Sequence, residues 1–345
     1  MEKIADIEDE KKEIAKRPAL LPSFIEKATL SGFAEFNYDY VDVTDTEDED
    51  SGSSSDFFIS SLELGLRVIF NEWAKTKLVV NAEDVWKDDG EAQVQLDEAI
   101  VTLKCPWIPA YFTGGKTVLP FGVFEDHMIS GTLTEDLYEI DDVGATLGLA
   151  PEFLELDISV TVYEGENIIE NIENFGNHAF SPDREKANGL DSYIANLTLE
   201  PLGEDSAFGL FYENEPGADR RNQSAGAALT VNYRNFTLDT EFITALAREK
   251  GEDDEENKES AWFVALAFQP LKALELATRY EAFYDDRHGD QDEILDDRFL
   301  AGFNYSFCDF FTFSFEYRHS VFEKEKDSNA ADEQNEFRFQ LALEF

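Results

Sequence analysis

The stretch NEFRFQLALEF, Asn335 to Phe345, decides the fold. Read as an extended strand, it sends Phe337, Phe339, Leu341, Leu343 and Phe345 to one face. Arg338, Gln340, Ala342 and Glu344 go to the other. The segment before it, FTFSFEYRHS from Phe311 to Ser320, repeats the pattern, as do many segments further upstream. So many amphipathic strands need a place to put their apolar faces, and a lipid bilayer around a closed barrel provides one.

The totals agree with a barrel. The 345 residues include 30 Phe but only two Met and two Cys, and no apolar run is long enough for a transmembrane helix. A barrel wall hides its hydrophobicity by alternation, so its average looks like that of a soluble protein. The net charge of -47, from 75 acids and 28 bases, repels phosphate and excludes sequence-independent binding to nucleic acid. Cations are the partners such charge attracts. No signal peptide is visible, because Glu2 to Lys16 is charged throughout, so the strand pattern is read as a mature outer-membrane chain whose leader has been removed.

Taken in order, residues 1–26 form an N-terminal periplasmic arm, with helix formers from Ile4 to Arg17 followed by Pro18 and Pro22. Residues 27–345 read as about sixteen strands, from Leu30–Tyr40, Ser61–Phe70 and Ala74–Trp86 through to Phe337–Phe345. Short connections (Asn71 to Trp73, Cys105 to Pro109, Pro151, Pro201 to Gly203, Arg234 and Asn235, Pro270 and Leu271, Cys308 and Asp309) fall at every second junction. Long acidic loops take the others. This alternation of periplasmic turns and external loops predicts an all-β fold, a transmembrane antiparallel up-and-down barrel with a short helical arm.

If the apolar residues face lipid, the alternate residues face the lumen. Arg279, Arg298, Arg318 and Arg338 lie on the last four predicted strands, each about seven to nine residues from its periplasmic end, and predict a transverse basic row. Glu275, Glu281 and Glu316 are near enough in sequence to pair with some of them. The loop Val118 to Ile140 mixes Leu119, Phe121, Phe124, Met128, Ile129 and Leu133 with Glu125, Asp126, Glu135, Asp136 and Glu139. Folding this loop into the barrel buries its apolar side chains and sets its acids across from the arginines, as a constriction with a strong local field.

Other chemistry finds little support. His127, His178, His288 and His319 are scattered, Cys105 and Cys308 lack metal-ligand spacing, and no HExxH, GxSxG or nucleotide fingerprint occurs. No catalytic, metal or cofactor site is expected. The external loops Asp42 to Asp56, Glu249 to Glu256 and Tyr284 to Asp297 are dense in carboxylates that could hold Ca²⁺ or Mg²⁺ loosely beside lipopolysaccharide, without EF-hand spacing. Gly226, Ala227 and Ala228 offer a small-residue wall segment for a homotrimer interface.

The segments SSDFFISSLELGLRVIFNEW, LDEAIVTL and GGKTVLPFGVFEDHMISGTLT resemble successive segments of the LbtU-type siderophore porins, Gram-negative outer-membrane barrels. The likeness runs from about Leu30 to Asp191, with VLPFG and the following ISGTLT its most specific part. Phe345 looks like the final aromatic that outer-membrane insertion machinery recognises. The resemblance implies passive transport, with an iron chelate as one cargo, although a charge of -47 disfavours an anionic chelate.

The expected function is therefore an outer-membrane porin for ions and small hydrophilic solutes, cation-preferring, with lipid and lipopolysaccharide around it. The alternative is a structural barrel that anchors a partner through the N-terminal arm.

Overall fold

In a computed structural model of the chain, the strand pattern closes on itself. The structure describes residues 24–44, 52–87, 93–124, 127–175, 189–201, 206–250, 256–286, 294–323 and 333–345. Among these, sixteen antiparallel strands form one closed barrel. They are β1 (Lys27–Thr44), β2 (Gly52–Asn71), β3 (Ala74–Val85), β4 (Gln93–Lys104), β5 (Ala110–Val118), β6 (Asp141–Leu149), β7 (Leu156–Tyr163) and β8 (Ser192–Leu199). The circuit continues with β9 (Ser206–Glu215), β10 (Asn222–Tyr233), β11 (Phe236–Ala247), β12 (Glu259–Leu271), β13 (Leu274–Asp285), β14 (Ile294–Cys308), β15 (Phe311–Glu323) and β16 (Glu333–Glu344). Each strand pairs with its sequence neighbours, and β16 returns to β1 with Tyr38 opposite Phe339 and Asp39 opposite Arg338.

Closure leaves no unpaired sheet edge, the condition a bilayer imposes on strands. Alternation then sorts the side chains. On β11, Phe236, Leu238, Phe242 and Leu246 are exposed on the outer wall, whereas Asp239, Glu241, Ile243 and Ala245 are buried inside. On β16, Phe337, Phe339 and Leu341 are on the outside, where Phe337 lies against Tyr317 and Phe339 against Phe315. Cross-strand aromatic pairs of this kind hold register on the apolar face.

Two boundaries differ from the sequence reading. The acidic stretch Asp42 to Asp56 is not all loop, because β1 runs to Thr44 and β2 begins at Gly52. Residues 45–51, with most of the other acidic external loops, lie outside the described residues, as does the N-terminal arm up to residue 23. The small residues on β10 also have another use. Ala228 is buried inside the barrel, and a Cβ on Gly226 would stand 2.2 Å from the Phe211 ring. These two face the lumen and make room for Phe211 there, so they do not form an outer interface.

Among the described residues, two short α-helices lie inside the wall. α1 (Leu133–Tyr138) belongs to the segment between β5 and β6, and α2 (Asn167–Asn174) to the segment between β7 and β8. The hydrophobic core of the molecule sits in the lumen. Leu119, Phe121, Leu133, Leu137, Tyr138 and Ile140 of the first segment pack with Ile168 and Ile172 of α2. Ile194, Phe211 and Ile243 of the wall close over them, with the Phe121 and Phe211 rings edge to face at 5.3 Å. Apolar side chains in an aqueous channel gain stability by this mutual burial, about 1.5–3 kcal/mol for each large one fully covered.

Candidate functional site: a loop strapped across the lumen

After β5 the chain turns inward, and its polar backbone is satisfied by the far wall. Val123 N donates to Glu241 on β11 at 2.7 Å, and Ile129 N and Ser130 N both donate to Glu316 Oε2 on β15 at 2.9 Å. The Ser130 hydroxyl donates to the other oxygen of Glu316. Leu133 N, at the start of α1, donates to Glu281 of β13 at 2.8 Å, and the Thr134 hydroxyl to Glu241 at 2.7 Å. Buried backbone N–H groups require acceptors, and here wall carboxylates supply them.

The four arginines stand on adjacent strands β13 to β16 and converge on this segment. Arg279 donates to the carbonyls of Ser130 and Gly131 at 2.9 and 2.7 Å. Arg298 reaches Asp136 at 2.9 Å and also meets Glu281. Arg338 donates to the Ser130 hydroxyl at 3.0 Å, beside Arg318 at 3.5 Å.

The row is also neutralised from within the wall. Arg279 lies 3.1 Å from Glu281, Arg318 pairs with Glu336, and Arg338 is 3.1 Å from Glu336 and 3.6 Å from Asp39. Of the three wall acids considered from sequence, Glu281 pairs with arginine, whereas Glu316 holds the loop backbone and Glu275 takes His127. Glu336 and Asp39 escaped the sequence reading. Glu336 stands two residues from Arg338 and therefore on its face of β16, a signal the sequence contained; Asp39 becomes a neighbour only through closure of the barrel.

The loop acids separate into different roles. Glu125 and Asp126 lie outside the described residues. Asp136 meets Arg298, but Glu135 turns back and accepts from Thr132 N at 3.1 Å, completing a capping box for α1. Glu139 does not face the arginines. Its neighbours are Glu135, Asp136, Asp141 and Asp97, and burial followed by these like charges pushes its carboxyl up to about 7.

A second inserted element, unforeseen from sequence, packs on the first. Glu215 of β9 accepts from Ile168 N and Ile169 N at the start of α2, at 3.3 and 3.0 Å. The Asn171 side chain donates to the Glu139 carbonyl at 2.7 Å, which ties α2 to the end of α1. The signal was the triplet Ile168, Ile169 and Ile172 inside a polar connection, spaced for one face of a helix.

The two insertions lie against β8 to β15, where inner-face residues such as Phe211, Ile243, Phe263 and Leu300 are buried. The inner face of β1 to β4 stays more open. Glu35, Glu63, Glu83 and Lys77 are partly exposed there, and Arg67, Lys75 and Lys104 exposed near the short-turn end. Glu35 accepts from Ser60 at 3.1 Å and Glu63 from Ser61 at 3.4 Å; Asp97 is within electrostatic reach of both Glu63 and Glu139. Lys77 pairs with Glu98, and among the described residues no base is salt-bridged to Glu35, Glu63 or Glu139. A path along this side therefore passes carboxylates that no salt bridge neutralises, with Lys77 within electrostatic reach of Glu63.

No protein-family model matches the chain, and no curated protein matches its sequence. Solved structures do match its shape. The outer membrane channel DcaP of Acinetobacter baumannii superposes with a TM-score of 0.70 at 12% identity, covering 92% of this chain and 97% of that one. An anion-selective porin from Comamonas acidovorans gives 0.67 at 10% identity, over 92% and 99%. The trimer form of OmpT, an outer membrane protein of Vibrio cholerae, gives 0.59 at 13%, again over 92% and 99%. At such identities the likeness is one of fold: the chain has the closed sixteen-stranded barrel architecture of Gram-negative outer-membrane porins.

Proposed function

We propose that the chain is an outer-membrane porin that passes small hydrophilic solutes and prefers cations. The observation that carries this reading is the uneven neutralisation of the lumen. The arginine row is matched by Glu281, Glu336, Asp136 and Asp39, whereas Glu35, Glu63 and Glu139 line the open side without salt-bridge partners among the described residues. A narrow aqueous passage with excess carboxylate raises the local concentration of cations and lowers that of anions.

One neighbouring structure is that of an anion-selective porin, which fits the general rule that a fold hosts a function without fixing it. Selectivity is a property of lining residues. The apolar outer wall supports contact with outer-membrane lipid and lipopolysaccharide, and the trimer form of the Vibrio cholerae protein supports a homotrimer here. A ferric siderophore as cargo rests on the sequence resemblance, and an anionic chelate would have to pass the same acids.

The test is reconstitution of folded protein into planar bilayers and sugar-loaded liposomes. Ohmic conductance steps, with swelling in small but not large neutral sugars, support the channel. A folded barrel that neither conducts nor admits the smallest sugar contradicts it and favours a structural role.

A further inference from the structure

The one histidine on the inserted loop makes contacts that no motif foretold. His127 Nε2 lies 2.9 Å from Asp239 Oδ2 on β11, and Nδ1 lies 3.2 Å from Glu275 Oε1 on β13. The two carboxylates belong to strands separated by β12, whose inner-face residues between them are Ala265 and Ala267, both buried and small. The His127 carbonyl accepts from Asn304 of β14 at 3.0 Å, and Asn304 also donates to Glu275 at 3.3 Å. One residue thus bridges three strands of the wall.

The chemistry of these contacts fixes the charge on the ring. A neutral imidazole has one donor and one acceptor, whereas an ionised carboxylate only accepts. Carboxylates on both nitrogens require both to carry hydrogen.

We propose that His127 is a positioning residue of the inserted loop, an imidazolium that pins the segment before its tip to Asp239 and Glu275 and so steadies the bore. Among the described residues, the charged groups facing it are these two acids, since β12 offers alanines and β14 offers the neutral Asn304. The hydrogen bonds that the ring donates to Asp239 and then to Glu275 raise the pKa of His127 from its ordinary 6.5 to about 10. Because the docked value is the raised one, the pin is at full strength below the ordinary histidine value and fails as pH rises through about 10.

Two measurements test this, the first of which does not depend on the porin reading. In ¹⁵N-imidazole NMR of detergent-folded protein, one of the four histidines stays an imidazolium at pH 8.5, and that signal is missing in H127Q. Four histidines that all titrate near 6.5 overturn the proposal, whatever the protein conducts. In the second, wild-type single-channel current is quiet at neutral pH and becomes noisy as pH approaches 10. H127Q is noisy throughout without that transition, and H127R restores quiet current. H127Q current that matches wild type in noise and pH profile, with the barrel still folded by heat-modified gel mobility, overturns the proposal as well.

Discussion

Glu316 is the side chain on which the tip of the inserted loop depends most. Fully buried on β15, it receives Ile129 N, Ser130 N and the Ser130 hydroxyl. A hydrogen bond to a charged acceptor contributes about 1.5–3 kcal/mol, and bonds to one acceptor are not additive, so the three together hold the tip by roughly 3–6 kcal/mol. E316A strands two backbone donors, that of Ser130 buried and that of Ile129 half-buried, and the tip has to lift to find water. At 1.4 kcal/mol for each factor of ten, amide exchange at Ile129 and Ser130 should rise about 100-fold or more. E316Q keeps an acceptor oxygen but loses the charge, and its effect should be about tenfold.

Hydrogen exchange read by mass spectrometry on the folded barrel measures both. Strands β14 to β16 should keep their protection, because the wall ladder does not pass through the Glu316 side chain. Unchanged protection at residues 129 and 130 in E316A, or joint loss of protection in loop and wall, would refute this account of how the loop is held.

R298Q removes one of the two arginines on Glu281 together with the partner of Asp136, and should lower the unfolding midpoint in urea by an amount equivalent to about 1.5–3 kcal/mol, since Arg279 still faces Glu281; a midpoint unchanged from wild type would remove Arg298 from the account. E35Q/E63Q should reduce the cation-to-anion permeability ratio severalfold while leaving the fold intact, and an unchanged ratio would show that ions take another route. Glu139, with its carboxyl raised to about 7, should gain a proton as pH falls from 8 to 6, so cation preference should weaken over that interval in wild type and stay flat in E139Q. Gly302 faces the loop across β14, and a Cβ there would stand 2.3 Å from the Phe315 carbonyl and 3.3 Å from Met128 Sδ. G302V should therefore impair folding of the barrel, which gel mobility reports directly.

The wall was legible because a period of two shows in any strand long enough to span a bilayer, as Phe337 to Phe345 demonstrates. The short-turn and long-loop alternation added the topology. The pairing of the arginines was half legible: Glu281 stands two residues from Arg279 and so shares its face, but the approach of Asp39 to Arg338 exists only because the last strand closes on the first. The role of His127 could not be read at all. Its partners lie 112 and 148 residues downstream, and only strand register together with the path of the loop brings the three side chains together. Glu139 was grouped with the acids opposing the arginines because sequence neighbours on a loop look alike; the turn at the end of α1 aims it toward Asp97 and Asp141 instead.

The most direct test of the central claim, a porin whose lumen is left net acidic on its open side, is the reversal potential of the reconstituted wild-type protein under a potassium chloride gradient at pH 8. The account predicts a potential of the sign set by potassium flow down its gradient. A potential of the opposite sign, showing chloride to be the preferred ion, would contradict it.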